Sequence, residues 1–181
     1  MRRTIHWSMV AGLVLICLAV CITSTSITVL EPEVRARELA TSLCAKEEKV
    51  VFSCTLKNAK VVSLCSSAKL SKTEGYLQYR FGGSGKIDLE YPKEHEAAQK
   101  AFKYSHYFRA QVDLTEISFT IDGYVYTVFD NFNGEEKPAI SEEGISVTPT
   151  GNKKAVTHIC RGRAKVDFSD ISETLPNESS P

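Results

Sequence analysis

Apolar and polar residues alternate along several short stretches of this chain, which is the pattern of half-buried β-strands. The clearest example surrounds Asp122-Gly123, a dipeptide that favours a two-residue type I′ turn. With that turn, large apolar or aromatic residues meet in cross-strand pairs on one face: Ile121 with Tyr124, Phe119 with Tyr126, and Ile117 with Val128. Because register and apolar pattern agree, the sequence predicts a hairpin here.

Two apolar runs that each contain cysteine predict another hairpin earlier in the chain. Residues 50–56 and 61–65 flank a polar stretch, and a two-residue loop at Asn58-Ala59 would join them. A third strand is predicted at 76–81, where alternation separates two faces. The core face carries Leu77, Tyr79 and Phe81, and the outward face carries Tyr76, Gln78 and Arg80.

The remaining segments add further strands and one helix. Good helix formers at 92–102 predict a single short helix. The other segments are a strand at 86–91 after a glycine-rich turn, a strand or loop at 103–110, a long acidic loop at 130–143, and a last hairpin from 144–147 and 155–160. The sum is about eight or nine short strands joined by hairpin turns, which predicts a mainly β fold, an antiparallel barrel or sandwich.

The first 26 residues have the order of a secretory signal peptide. Arg2 and Arg3 precede an uncharged apolar run at 9–22, and small polar residues follow. An uncleaved membrane anchor is an alternative, since uncharged residues continue to Leu30, and lipid attachment at Cys21 is another. We therefore expect a signal peptide or anchor at 1–26, a linker at 27–43, a β domain at 44–166 and a disordered polar tail at 167–181.

Charge argues against nucleic acid as a partner. The chain has 22 basic and 22 acidic residues, and removal of Arg2 and Arg3 with the signal segment leaves a net charge of about −2. Phosphate backbones require a concentrated basic surface, which this composition does not provide. A membrane partner is expected only through an uncleaved N-terminal segment.

Four cysteines remain in the predicted domain: Cys44, Cys54, Cys65 and Cys160. Four cysteines in an exported chain are typical of two disulfides, and three pairings are possible. We favour Cys54 with Cys65, which lie on the two arms of one predicted hairpin, and Cys44 with Cys160. None has the spacing of a zinc knuckle, so neither a metal nor another cofactor is expected.

No catalytic motif stands out. Arg80 and Ile87 occupy positions at which a P-loop requires glycine and serine or threonine, so the glycine-rich 82–85 is a turn. A Gly-x-Ser-x-Gly elbow is lacking. The alternative of a small periplasmic hydrolase would use His106 or His95 with a carboxylate from the acidic loop.

Surface recognition is the remaining class of function. Tyr76, Gln78 and Arg80 on an outward strand face, with Phe132 in the acidic loop, are residue types that anchor protein contacts. We predict these four as binding residues. Exposed tyrosine and arginine also occur on sheet faces that bind nothing, and a purely structural envelope protein held by an N-terminal anchor is a further alternative.

Short motifs in the body resemble a group of uncharacterised small exported β-rich proteins of Gram-negative bacteria. The motifs are Phe52-Ser53-Cys54, Leu64-Cys65, Tyr79-Arg80-Phe81-Gly82, Tyr126-Thr127-Val128-Phe129, Gly144-Ile145-Ser146-Val147 and a late Cys160, within roughly residues 44–161. The resemblance implies a periplasmic β domain and supplies no catalytic residues. Periplasmic lysozyme inhibitors and immunity proteins against secreted toxins share the size and disulfide-tied β character, as an analogy of class.

These observations predict a non-enzymatic exported binding module, for example of the inhibitor or immunity type, that acts on another envelope or secreted protein. The expected compartment is the periplasm or the exterior of a Gram-negative cell.

Overall fold

A computed structural model describes residues 42–83, 86–151 and 154–178. The predicted signal segment, and the predicted linker up to residue 41, lie outside these ranges. Within them are two short helices, α1 (Ala98–Ala101) and α2 (Ser169–Thr174), and ten strands. The strands are β1 (Lys49–Thr55), β2 (Val61–Ser66), β3 (Leu77–Gly83), β4 (Lys86–Tyr91), β5 (Lys103–Arg109), β6 (Val112–Ile121), β7 (Tyr124–Asn133), β8 (Ile140–Pro149), β9 (Val156–Ile159) and β10 (Lys165–Val166).

The strands form two antiparallel sheets of five. The first sheet has the order β10-β1-β2-β3-β4, and the second has the order β5-β6-β7-β8-β9. Neither sheet closes on itself, so the predicted mainly β class is confirmed in its sandwich form. The described residues contain one helix more than predicted.

The core lies between the inner faces of the two sheets. Tyr79 of the first sheet contacts Phe119 and Tyr126 of the second, with ring centroids 4.8 and 6.1 Å apart. Ile117 and Val128 are fully buried in the same cluster. Leu77 and Tyr79 face the core as predicted, and Phe81 packs against it.

The Asp-Gly hairpin has the predicted register. Ile121 pairs with Tyr124, and the ladder continues through Phe119 with Tyr126 to Ile117 with Val128. Asp122 and Gly123 have φ values of 47° and 78°. Both values lie in the left-handed region that a type I′ turn requires, which explains why this dipeptide fixes the register.

The predicted disulfide pairing is wrong, although all four body cysteines are paired. The bonds join Cys44 to Cys65 and Cys54 to Cys160. The first hairpin has a three-residue loop, with Ala59 at φ 62°, so Cys54 lies opposite Val62 rather than Ser63. Because side chains alternate along β2, Cys65 then lies on the opposite face of the sheet from Cys54, out of reach of a disulfide.

Each disulfide ties together parts that are distant in the chain. Cys54–Cys160 connects β1 of the first sheet to the end of β9 in the second, and Cys44–Cys65 fastens the segment before β1 onto β2. Two such bonds indicate an oxidising, extracytoplasmic compartment. In the described ranges, no helix has the length and apolar character needed to cross a membrane.

The predicted disordered tail is wrong for residues 167–178, while 179–181 lie outside the described ranges. α2 buries Ile171 completely, and Leu175 after it is 2% exposed. Asn177 then hydrogen-bonds the backbone of His106 at the edge of β5, as acceptor at 2.9 Å and donor at 2.8 Å. Two apolar residues in a polar stretch were too weak a sequence signal for this packed segment.

Two other segments also differ from the prediction. The helix predicted at 92–102 is limited to α1, because 92–97 instead cover the first sheet through Pro92 and His95. The acidic loop predicted at 130–143 shrinks to 134–139. Backbone pairing continues from Asp130 with Glu143 to Asn133 with Ile140, since ladder hydrogen bonds form whatever the polarity of the side chains.

Candidate functional site

The predicted binding face of β3 is covered by other parts of the chain. Gln78 is 2% exposed and Arg80 is 8% exposed, so the prediction that they face solvent is wrong. The covering segment runs from Leu43 to Glu48, and alternation within β3 gave no sign of it. Tyr76 is half-buried, and its ring stacks on His95 with centroids 3.5 Å apart.

Arg80 has no donor left for a ligand. A guanidinium has five N–H groups, and the structure shows five hydrogen bonds from Arg80 to protein acceptors. Two go to the carboxylate of Glu48, and one each to the Glu90 carboxylate, the Gln78 side-chain oxygen and the Leu43 carbonyl. Gln78 in turn donates to the Pro92 carbonyl at 2.8 Å. These residues hold the segment before β1 in place and do not present a binding surface.

Glu48 is the anionic centre of this network, with a side chain 2% exposed. Burial raises its pKa, but hydrogen bonds from Arg80, the Ala45 N–H and the Tyr76 hydroxyl outweigh burial and hold the pKa below its ordinary value. Burial and the hydrogen bond to Glu48 raise the pKa of Tyr76. Glu48 is therefore ionised in the folded protein at neutral pH.

Acidification is expected to remove the stabilisation that Glu48 provides. Its folded-state pKa is lowered, so the contribution is complete above the unfolded-state pKa and is lost as pH falls through the folded-state pKa. In urea titrations, the free energy of unfolding of wild type minus that of Glu48→Gln should shrink between about pH 7 and about pH 3. If the difference in free energy of unfolding between wild type and Glu48→Gln did not depend on pH, Glu48 would not stabilise the fold through its ionised form. The exposed Glu142→Gln is the control variant.

The second sheet offers a different candidate site, where its inner face continues beyond the core. After the buried row Ile117, Val128 and Ile145, two more rows follow on the same face. We call these eight residues the acidic shelf: His106, Thr115, Asp130 and Glu143 in one row, and Phe108, Asp113, Phe132 and Ser141 in the next.

Exposure rises across the acidic shelf from the core outward. Thr115 is 8% exposed and Glu143 is 4% exposed, whereas Phe132 is 42% and Phe108 is 70% exposed. An open cavity of about 460 Å³ lies at this end, lined by shelf residues and by Arg163. Phe132 is the one predicted binding residue of the four that lies here, on a strand and not in a loop.

The two carboxylates of the inner row are poorly compensated. Burial raises the pKa of Asp130, where attraction to Arg163 acts against burial and Asp113 adds to it. Burial also raises the pKa of Glu143, reinforced by Asp130 and opposed by Arg163 and the Ala164 N–H. Since Asp130 and Glu143 lie directly opposite each other on β7 and β8, their negative charges act on each other.

Arg163 is the cation beside these carboxylates. Its Nε lies 3.2 Å from Glu143 Oε1, and its Nη1 donates to Ser141 Oγ at 3.2 Å. The Arg163 side chain is 74% exposed. The Glu143 Oε1 atom accepts no hydrogen bond from the described residues. Because the guanidinium is mostly exposed to solvent, the ion pair with Glu143 contributes little stability.

The histidines named as hydrolase candidates lie in different surroundings. His106 Nε2 is 2.9 Å from Asp113 Oδ1 on the acidic shelf. That carboxylate comes from β6 and not from the acidic loop. His95 instead stacks on Tyr76 over the first sheet.

One group of potential metal ligands occurs in the described ranges. Atoms of Cys44, Glu48 and Cys65 lie within 4.8 Å of one another. The two sulfurs are joined in a disulfide, and Glu48 is held by Arg80 and Tyr76. These atoms are therefore engaged with each other and with the protein.

Most residues of the acidic shelf are not among the predicted binding residues, although the sequence contains a signal for them. The register of the Asp-Gly hairpin, extended two rows past Ile117 and Val128, places Thr115 beside Asp130 and Asp113 beside Phe132. The predicted strands end where the apolar alternation stops. The contributions of β5 and β8 follow from packing that the sequence pattern does not encode.

The acidic shelf combines hydrogen-bond acceptors with exposed apolar surface. Carboxylates accept hydrogen bonds from donors, and exposed phenylalanines offer apolar contact area. The chain matches no protein-family model, and comparisons with curated proteins and with solved structures gave no match either.

Proposed function

We propose that this protein is a non-enzymatic binding module, exported to the periplasm or the cell exterior, which binds another envelope or secreted protein through the acidic shelf. The observation that carries the proposal is the pair of exposed phenylalanines, Phe108 and Phe132, on either side of Asp113 on an inner sheet face. An inner face of a sandwich is normally covered by the facing sheet.

Exposed apolar side chains beside partly buried charges are typical of protein contact sites. Aromatic residues supply much of the binding energy of such sites when a partner excludes water from them. Asp130 is partly buried and its attraction to Arg163 does not offset the effect of burial, so a partner that brings a hydrogen-bond donor would stabilise it. Both features favour an occupied acidic shelf over a solvent-filled one.

Export is supported by the two disulfides and by the signal-like residues 1–26. The resemblance to small exported β-rich proteins of Gram-negative bacteria favours the periplasm. An inhibitor or immunity role fits a module that recognises one protein, because such roles require a binding surface without catalytic residues.

The proposal predicts that a partner protein depends on the acidic shelf. Full-length protein on a resin, exposed to envelope extract, should retain at least one protein that Asp130→Asn and Phe132→Ala retain about tenfold less. Glu142→Gln and Tyr107→Ala are matched controls, since both residues are exposed on the other face of the same sheet. Quantitative mass spectrometry of the eluted proteins measures the ratios.

Comparison of the shelf variants with the control variants shows whether capture of a partner depends on the acidic shelf. Retention of the same proteins by wild type and by both shelf variants would contradict the proposal, as would equal losses with the control variants. Unchanged circular dichroism spectra establish that the variants are folded.

A second candidate is a small hydrolase, favoured by the 2.9 Å contact of His106 with Asp113. A histidine oriented by a carboxylate is the usual arrangement of a general base. A hydrolase would lose turnover with His106→Gln and keep its substrate bound. A binding module has no turnover to lose, so hydrolysis of envelope substrates by wild type separates the two.

A further inference from the structure

We infer that the acidic shelf accepts a cationic side chain, arginine or lysine, from its protein partner. This inference rests on the proposed function and specifies the chemistry of the group that enters the shelf. Charge complementarity, a buried oxygen without a hydrogen bond and the flanking aromatic rings carry the argument.

The charge of the acidic shelf favours a cation. Three carboxylates, Asp113, Asp130 and Glu143, share one face over three adjacent strands. Arg163 is the arginine among the residues that line the cavity, and its side chain is 74% exposed. His106 hydrogen-bonds Asp113. A ligand cation would therefore enter a region where negative charge exceeds the positive charge of Arg163.

The buried carboxylate of Glu143 is a second reason to expect a cationic ligand. Its side chain is 6% exposed, yet its Oε1 atom accepts no hydrogen bond within the described ranges. A buried carboxylate oxygen without a donor is costly, and a charge-assisted hydrogen bond removes that cost. The Arg163 Nε at 3.2 Å supplies attraction without hydrogen-bond geometry. A guanidinium or ammonium group from a partner, bound beside Arg163, would add positive charge next to this buried carboxylate.

The spacing of the shelf suits a group with several donors. Asp130 lies directly opposite Glu143 and diagonal to Asp113. Direct neighbours have Cβ atoms about 5 Å apart, and diagonal neighbours about 7 Å apart. A planar guanidinium can donate to two carboxylates at such separations, whereas an ammonium acts as a point charge.

The phenylalanines complete the site. Phe108 and Phe132 both lie across from Asp113, one on each neighbouring strand. A cation placed over Asp113 is therefore flanked by two ring systems, whose faces attract positive charge. The aliphatic part of a long basic side chain would also cover apolar area that is now exposed. Acidic or neutral side chains gain only part of these contacts.

The test uses three peptides with the full-length protein. Acetyl-(Gly-Arg)₃-amide is compared with acetyl-(Gly-citrulline)₃-amide, in which the cation is replaced by a neutral group of the same shape, and with acetyl-(Gly-Lys)₃-amide. Isothermal titration calorimetry at low ionic strength should give an affinity for the arginine peptide at least about tenfold above that for the citrulline peptide. The lysine peptide separates recognition of charge alone from recognition of the planar group.

Variants assign the effect to the acidic shelf. Asp130→Asn should remove most of the preference for arginine over citrulline, and Phe132→Ala should weaken binding of the cationic peptides. Glu142→Gln removes one exposed charge from the neighbouring position of β8, on the other face, and should leave the preference intact. Equal binding of arginine and citrulline peptides would overturn the inference, as would an equal effect of Asp130→Asn and Glu142→Gln.

Failure of this inference can be told apart from failure of the proposed function. If neither cationic peptide binds while capture of a partner still depends on Asp130 and Phe132, the shelf binds protein through other chemistry and the inference is wrong. If capture does not depend on these residues, both are wrong.

Discussion

Replacement of Arg80 by methionine is expected to lower the free energy of unfolding by about 3–5 kcal/mol. The variant leaves Glu48, whose side chain is 2% exposed, as a buried carboxylate without its cation. It also leaves the Leu43 carbonyl and the Gln78 side-chain oxygen without their donor. Urea denaturation followed by far-ultraviolet circular dichroism measures the loss.

A second arginine provides the matched control. Arg109 makes a similar two-bond contact with Glu135, but both side chains are nearly half exposed. Arg109→Met should therefore cost much less free energy of unfolding than Arg80→Met. If Arg80→Met proves too unstable to purify, Arg80→Lys keeps the charge and loses the five-donor geometry, and it should still be less stable than Arg109→Lys. Equal losses at the two positions would contradict the structural role assigned to Arg80.

Removal of the Cys54–Cys160 disulfide is the other change with a large expected effect. Its partners are 106 residues apart, against 21 for Cys44–Cys65. A chain-entropy model assigns about 4.8 and about 3.3 kcal/mol to loops of these lengths. Cys54→Ala/Cys160→Ala should thus destabilise more than Cys44→Ala/Cys65→Ala, and it also removes the disulfide that links the two sheets.

Denaturation of the two double variants under non-reducing conditions checks this order. Peptide mapping of the unreduced wild type by mass spectrometry checks the pairing itself. Recovery of a peptide that contains a Cys54–Cys65 bond would contradict the structure, and so would a larger loss of stability from the Cys44 and Cys65 substitutions.

The parts of the fold that local chemistry dictates were predictable from sequence. Asp122-Gly123 fixes one hairpin because few other dipeptides occupy two left-handed positions, and its register carries the core pairs with it. The first hairpin lacks such a dipeptide. Its loop is one residue longer than predicted, and that single residue places Cys54 and Cys65 on opposite faces.

The parts that depend on covering segments were not predictable. Nothing in the alternation of β3 shows that residues 43–48 cover its outer face and bury Arg80. The same reasoning explains the C-terminal segment, where Ile171 and Leu175 pack on the core from within a polar stretch. Strand faces can be read from a period of two, whereas the layer that covers a face comes from tertiary packing.

In the candidate site too, some residues can be placed from the local sequence and others only from tertiary packing. Residue type alone predicts Phe132 as a binding residue. The positions of Asp113, Thr115 and Asp130 can be predicted by extending the register of the Asp-Gly hairpin further along its two strands. Glu143 and Ser141 join them only because β8 pairs along the full length of β7. Gln78 and Arg80 on β3 are buried and Tyr76 just before β3 is half-buried, and their polar groups bond to other parts of the protein.

The most direct test of the central claim, that the acidic shelf binds a cationic side chain, is a nuclear magnetic resonance titration. Isotope-labelled full-length protein is titrated with acetyl-(Gly-Arg)₃-amide, and amide shifts are followed residue by residue. The largest changes are expected at 106–115, 130–133 and 141–143, and they should vanish with the citrulline peptide. Changes confined to 76–80, or equal changes with both peptides, would contradict this claim.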